Sequence, residues 1–73
     1  MSAGGLVKRS FSLAGHRTSV ALEPAFWAAL AGAAGTRKQS LAALVAAVDA
    51  GRDPAQPLAS ALRVWALEES AKR

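Results

Sequence analysis

Apolar and polar residues alternate twice near the start of the chain, in opposite phase. In Arg17-Thr18-Ser19-Val20-Ala21-Leu22, the side chains of Thr18, Val20 and Leu22 fall on one side of an extended strand, and those of Arg17, Ser19 and Ala21 on the other. The first side is apolar and β-branched, suited to a core. The second is short and polar with one guanidinium, suited to solvent or a ligand. Upstream, Phe11 and Leu13 are apolar while Ser10 and Ser12 are polar, and the phase flips across Ala14-Gly15. A two-residue turn there sets Leu13 opposite His16, Phe11 opposite Thr18 and Arg9 opposite Val20. Phe11 and Leu13 then share a face with Val20 and Leu22, and Ser10, Ser12, Arg17 and Ser19 share the other. The dipeptide lacks the type I′ preference of Asn-Gly; glycine in second place favours a type II turn, which splays strands.

From Pro24 the period becomes helical. Proline suits the first helical position, where its missing N–H is not needed. Phe26, Trp27, Leu30, Ala31 and Ala34 recur on one face. Gly35 is placed to end the helix in left-handed geometry. Gly32 costs about 1 kcal/mol relative to alanine, which predicts either a close neighbour or an early helix end. Trp27 and Phe26 could line a pocket, but at this spacing they are assigned to the core. After the polar loop Thr36-Arg37-Lys38-Gln39, Ser40 is a good N-cap for a second helix from Leu41 to about Ala50, with apolar face Leu41, Leu44, Val45 and Val48. Gly51 closes it and residues 52–57 form a linker. A third helix, about 57–70, presents Leu58, Ala61, Leu62 and Trp65, with Val64 and Leu67 widening the stripe.

These elements define one domain, residues 8–73, after a flexible arm at 1–7; its core is 16–51 and the C-terminal helix is additional. At 73 residues, a single chain buries only roughly 60% of its unfolded surface, and its core supplies ~3–5 kcal/mol. Without cysteine, and with His16 the single histidine, neither disulfides nor a metal cage can supplement it. That leaves oligomerisation, with a second copy pairing the strand. No metal or cofactor site and no base–nucleophile–orienter set can be assembled, so an enzyme is not expected. No apolar run reaches the ~20 residues of a membrane span and no secretory core is present, so the expected location is cytoplasmic.

Charge sharpens the picture. Residues 1–38 hold Lys8, Arg9, Arg17, Arg37 and Lys38 against Glu23, while the charges of residues 39–73 cancel, so the whole net charge of +4 lies in the N-terminal half. Such asymmetry fits a polyanion partner or, more blandly, a solvated basic surface.

The order of strand, glycine-terminated helix and Ser-capped helix resembles the ribbon-helix-helix family of bacterial regulators, the Arc/MetJ/CopG type. Its carriers lie within Arg17 to Asp49: Arg17-Thr18-Ser19-Val20-Ala21-Leu22, Gly35, and Ser40-Leu41-Ala42-Ala43-Leu44-Val45. The longer run from His16 to Trp27, with Ser60-Ala61-Leu62-Arg63-Val64 later, is similar to a subgroup labelled only as ribbon-helix-helix domain proteins. The resemblance implies a mainly α fold with a short β-ribbon, in which two chains intertwine as a homodimer and pair their strands antiparallel. It further implies a dimer core of Val20, Leu22, Phe26, Trp27, Leu30, Leu41, Leu44, Val45 and Val48. Carried over, Arg17, Ser19 and Ala21 contact bases in the major groove of double-stranded DNA, and Arg37, Lys38 and Ser40 contact phosphate. The implied function is a sequence-specific repressor or other transcriptional regulator. The alternative is a dimeric assembly module that binds no DNA and docks a partner protein through its C-terminal helix.

Overall fold

The computed structural model describes residues 5–72. The arm expected at the N-terminus lies largely outside these residues, although Val7, placed above in that arm, is the first residue of a strand. Strands β1 (Val7–Leu13) and β2 (His16–Leu22) form an antiparallel hairpin, followed by helices α1 (Pro24–Thr36), α2 (Leu41–Gly51) and α3 (Leu58–Ala71). The register pairs Leu13 with His16, Phe11 with Thr18 and Arg9 with Val20, as the phase flip predicts. One expectation is corrected here. The partner of β2 is β1 of the same chain, so this pairing needs no second copy.

The turn also differs from expectation. Ala14 has φ 51° and Gly15 φ 84°, so both central residues are left-handed, as a type I′ turn requires. A type II turn would splay the strands. The aligned apolar pairs hold the register and force Ala14 into a conformation that alanine disfavours.

One face of the hairpin lies on the helices. β1 packs against α2 and β2 against α3, while α1 packs against both of those helices. Leu22, Leu30, Val45 and Leu62 are fully buried, one from β2 and one from each helix. Around them pack Phe11, Leu13, Val20, Trp27, Ala33, Ala34, Leu44, Leu58 and Ala66. Of the residues expected in a dimer core, Val20, Leu22, Trp27, Leu30, Leu44 and Val45 are thus buried within one chain, and Phe26, Leu41 and Val48 pack at its border. On α1 the apolar stripe is turned slightly from the predicted one: Ala33 is buried and Ala31 exposed.

Two glycine expectations also change. Gly35 does not end α1, which runs on to Thr36; the left-handed residue after it is Lys38, with φ 56°. Gln39 N–H donates to the Ala34 carbonyl at 3.0 Å and Lys38 N–H to the Gly35 carbonyl at 3.1 Å. These two bonds make a Schellman motif with lysine where glycine is usual. Gly32 neither ends the helix nor meets a close neighbour, since a Cβ there would touch nothing within 4 Å.

Candidate nucleic-acid interface

Alternation along both strands sorts the hairpin into two faces. The inner one carries the apolar residues just described. The outer one carries three cross-strand pairs: Ser12 with Arg17 next to the turn, Ser10 with Ser19 in the middle, and Lys8 with Ala21 at the open end. The two central serine hydroxyls lie 3.0 Å apart and share a hydrogen bond. Arg17 Nη1 donates a long bond of 3.5 Å to Ser12 Oγ. All of these residues are exposed except Ala21, which is half-buried. No acidic residue occurs anywhere in residues 7–22.

The ribbon is held rigidly to the helices. Trp27 Nε1–H donates to the Val7 carbonyl at 2.8 Å, and its ring lies 5.9 Å from that of Phe11. The Arg9 guanidinium lies 5.2 Å from the Trp27 ring centroid, so this cation flanks the ribbon rather than joining its outer face.

Ion pairing separates the basic residues into two groups. Arg37, Arg52, Arg63 and Lys72 each lie within 4.0 Å of a carboxylate. Among the described residues, Lys8, Arg9, Arg17 and Lys38 have no such partner. Three of those four are on the hairpin. The excess charge seen in the sequence is therefore concentrated where the ribbon is, and water or a polyanion must satisfy it.

The expected phosphate contacts form a second cluster on the α1–α2 connection. Ser40 Oγ accepts from Ala43 N–H at 3.0 Å, the N-cap bond predicted for it. Arg37 is committed elsewhere: its Nη2 lies 2.8 Å from Glu69 Oε2, and its guanidinium stacks 5.0 Å from the Trp65 ring centroid. Lys38 remains exposed and without an ion pair among the described residues. The structure thus brings Arg17, Ser19 and Ala21 onto one face, while Arg37, Lys38 and Ser40 sit apart from it, with Arg37 anchored to α3. Lys8 also lies on this outer face, in phase with Ser10 and Ser12, although the sequence expectation names only Arg17, Ser19 and Ala21 there. The signal for it is the register itself, extended one pair beyond Ser10.

Among the described residues there is no cluster of three His, Cys, Asp or Glu side chains able to hold a metal ion, and no helix long and apolar enough to cross a membrane. An antiparallel ribbon with a basic, acid-free outer face, mounted on a core of three helices, defines a small ribbon-type domain. The ribbon-helix-helix domain family matches the chain over residues 6–70, and the protein belongs to that family. The match takes in α3, which the shorter Arg17–Asp49 resemblance left out. Domains of this family are generally DNA-binding regulators, not enzymes, and typically bind DNA as dimers. No curated protein and no solved structure matches the chain.

Proposed function

We propose that this protein is a sequence-specific DNA-binding regulator, acting as a homodimer in the bacterial cytoplasm, that lays its β-ribbon in the major groove and represses transcription. The observation that carries this reading is the outer face of the hairpin: small hydroxyls and uncompensated cations, with no carboxylate and no large apolar side chain. A two-stranded ribbon fits the major groove, and Arg and Ser are hydrogen-bonding partners for base edges there. Arg17 and Ser19 are the base-contacting residues of this reading, with Ala21 against the groove wall. Lys38 and the N-terminus of α2 at Ser40 serve the phosphates, because helix N-terminal N–H groups favour anions. Arg37 contributes less than a free cation, since Glu69 already offsets its charge.

The test is a gel shift on DNA upstream of the protein's own gene, with random duplex as competitor and over a range of salt. Binding should be preferred to random duplex, and should weaken with salt as phosphate contacts require. Equal binding to both DNAs would remove the sequence-specific reading; no binding even at low salt would remove DNA altogether. Dimerisation has its own check. If two copies associate in the native state, the melting temperature rises with protein concentration.

A second reading is favoured by α3. Leu67 is 69% exposed and Val64 45%, and Val64 borders an open groove of about 540 Å³ whose lining mixes Leu44, Val48 and Trp65 with Arg37, Arg52 and Glu68. A partner protein docking through the C-terminal helix would cover this surface. Leu67→Glu distinguishes the two, because it should abolish such docking while leaving DNA binding intact.

A further inference from the structure

The solvent side of α3 has the wrong chemistry for a helix lying on a small domain. Leu58, Ala61, Leu62 and Ala66 bury one side of it. At about 100° per residue, Ser60, Val64, Leu67 and Ala71 fall on the opposite side, within an arc of about 60°. A surface helix normally presents charged or polar residues there. Here the stripe opposite the core holds no charge, and Val64, Leu67 and Ala71 on it are exposed. The charges stand beside it instead, Arg63 along one flank and Glu68 along the other.

Positions 60, 64, 67 and 71 alternate spacings of four and three, the repeat by which one helix packs along another. Val64 and Ala71 take the place that β-branched residues fill in parallel two-stranded pairs, and Ser60 and Leu67 the place that leucine fills. The flanks then decide the occupant. In a parallel, in-register pair of α3 helices, Arg63 of each copy faces Glu68 of the other, so both contacts join opposite charges. An antiparallel pair would line the two arginines along one side and the two glutamates along the other. Arg63 Nε and Nη2 are held by Glu23 Oε1, which anchors the guanidinium and leaves Nη1 to a second carboxylate. Glu68 is exposed and has no ion pair among the described residues.

We propose that α3 is a self-association surface, on which two copies of the chain pair their C-terminal helices in parallel about a two-fold axis. Val64, Leu67 and Ala71 form the seam, and Arg63–Glu68 ion pairs flank it on both sides. The contact is isologous, the same patch on each copy. It assigns to a second copy of the chain the face that the second reading above gives to a partner protein. It is additional to any dimer contact that serves DNA binding, and does not depend on that reading. The seam is short, four residues a side against roughly 20–30 in a standard interface, so the pairing is weak and grows with concentration.

The chain has no cysteine, so one introduced thiol reports the pairing without ambiguity. Ser60→Cys, mildly oxidised in the full-length protein at high concentration, should form a covalent dimer, because the two thiols meet across a parallel seam. In an antiparallel pair they lie roughly 16 Å apart along the axis and cannot bond. Adding Leu67→Glu should abolish the crosslink. Adding Glu68→Lys should slow it by roughly 5- to 30-fold, since two attractions become two repulsions. Sedimentation equilibrium without DNA gives a second readout: the average mass of the wild type should rise with concentration above that of Leu67→Glu. Circular dichroism checks that the variants are folded, as expected where the altered side chain is so exposed. A folded Ser60→Cys that does not crosslink overturns the pairing. So does a crosslink that survives Leu67→Glu, or a wild-type mass equal to that of Leu67→Glu at every concentration. The face then belongs to a partner of different sequence, and the DNA-binding reading stands in either case.

Discussion

Trp27 donates its indole N–H to the carbonyl of Val7 at 2.8 Å, joining the first turn of α1 to the first residue of β1 across 20 positions of sequence. The bond fixes the open end of the hairpin, where Lys8 sits, against the helices. Trp27→Phe keeps an aromatic ring beside Phe11 and removes the donor. The lost hydrogen bond and the smaller ring together should cost about 1–3 kcal/mol. Amide exchange should accelerate at the open end of the hairpin more than beside the turn. Uniform acceleration throughout the hairpin would mean that Trp27 acts through general stability alone.

The turn offers a gain in stability. Ala14 holds φ 51°, a conformation costing an L-residue roughly 1–2 kcal/mol. Asparagine tolerates it and is the favoured first residue of a type I′ turn. Ala14→Asn should raise the melting temperature by the equivalent of ~1 kcal/mol without altering DNA affinity, since the turn lies beyond the outer-face pairs. A lower melting temperature would place the turn in another geometry.

The hairpin register was legible because two opposite alternation phases meet at a two-residue break. Ser40 was legible because an N-cap is a local event, decided by one hydroxyl and the N–H three residues later. What escaped depends on tertiary context. Gly35 looks like a helix end locally, yet α1 continues to Thr36 and leaves Lys38 in the left-handed position. There Arg37, paired with Glu69 and stacked on Trp65, secures the last turn. The commitment of Arg37 was equally hidden, because Glu69 lies on a helix that periodicity places but cannot orient. The closing of the core within one chain depends on tertiary context too: Phe11 and Leu13 of β1 pack into the core that the resemblance assigns to two intertwined chains.

The α1–α2 connection separates folding from binding. Lys38 stands at a left-handed position, so Lys38→Gly relieves backbone cost and should stabilise the fold by about 1 kcal/mol. It also removes a cation proposed to meet phosphate. Stability should therefore rise while DNA affinity falls, with the salt slope lower by about 1. Ser40→Ala should cost ~0.5–2 kcal/mol by loss of the cap, and should weaken DNA binding further than its melt explains. Unchanged affinity in both folded variants would remove this loop from the DNA interface.

The helix itself provides an independent check on the conformation of α1. A Cβ at Gly32 would meet nothing within 4 Å, so Gly32→Ala should stabilise the chain by up to about 1 kcal/mol through helix propensity. The exception is informative. If a second copy packs closely over this face, the added methyl clashes, and the variant should be destabilised only at concentrations where the dimer forms. Melts at two protein concentrations distinguish the cases.

Glu23 links α1 to α3 through its charge. Its carboxylate is held below the ordinary value of 4.5, first by the hydrogen bond from its own backbone N–H and then by Arg63. Arg63 Nε and Nη2 approach Glu23 Oε1 at 3.0 and 2.9 Å, while the same guanidinium stacks 5.8 Å from the Phe26 ring centroid. A carboxyl whose folded pKa is depressed adds stability above its unfolded pKa and loses it as the pH falls through the folded value. At neutral pH, wild type should therefore be more stable than Glu23→Gln, and the gap should close as the pH falls below about 4.5. The gap should also shrink in high salt, because the pair is partly exposed and screened. Thermal melts of the two proteins at neutral and acidic pH make the comparison. The backbone carbonyl of residue 23 still accepts from Phe26 and Trp27 N–H in either protein, so the start of α1 is not in question. A gap that stays constant as the pH falls would mean that the Glu23–Arg63 ion pair contributes no stability, and that α3 is held to the first turn of α1 by the stacking of Arg63 on Phe26.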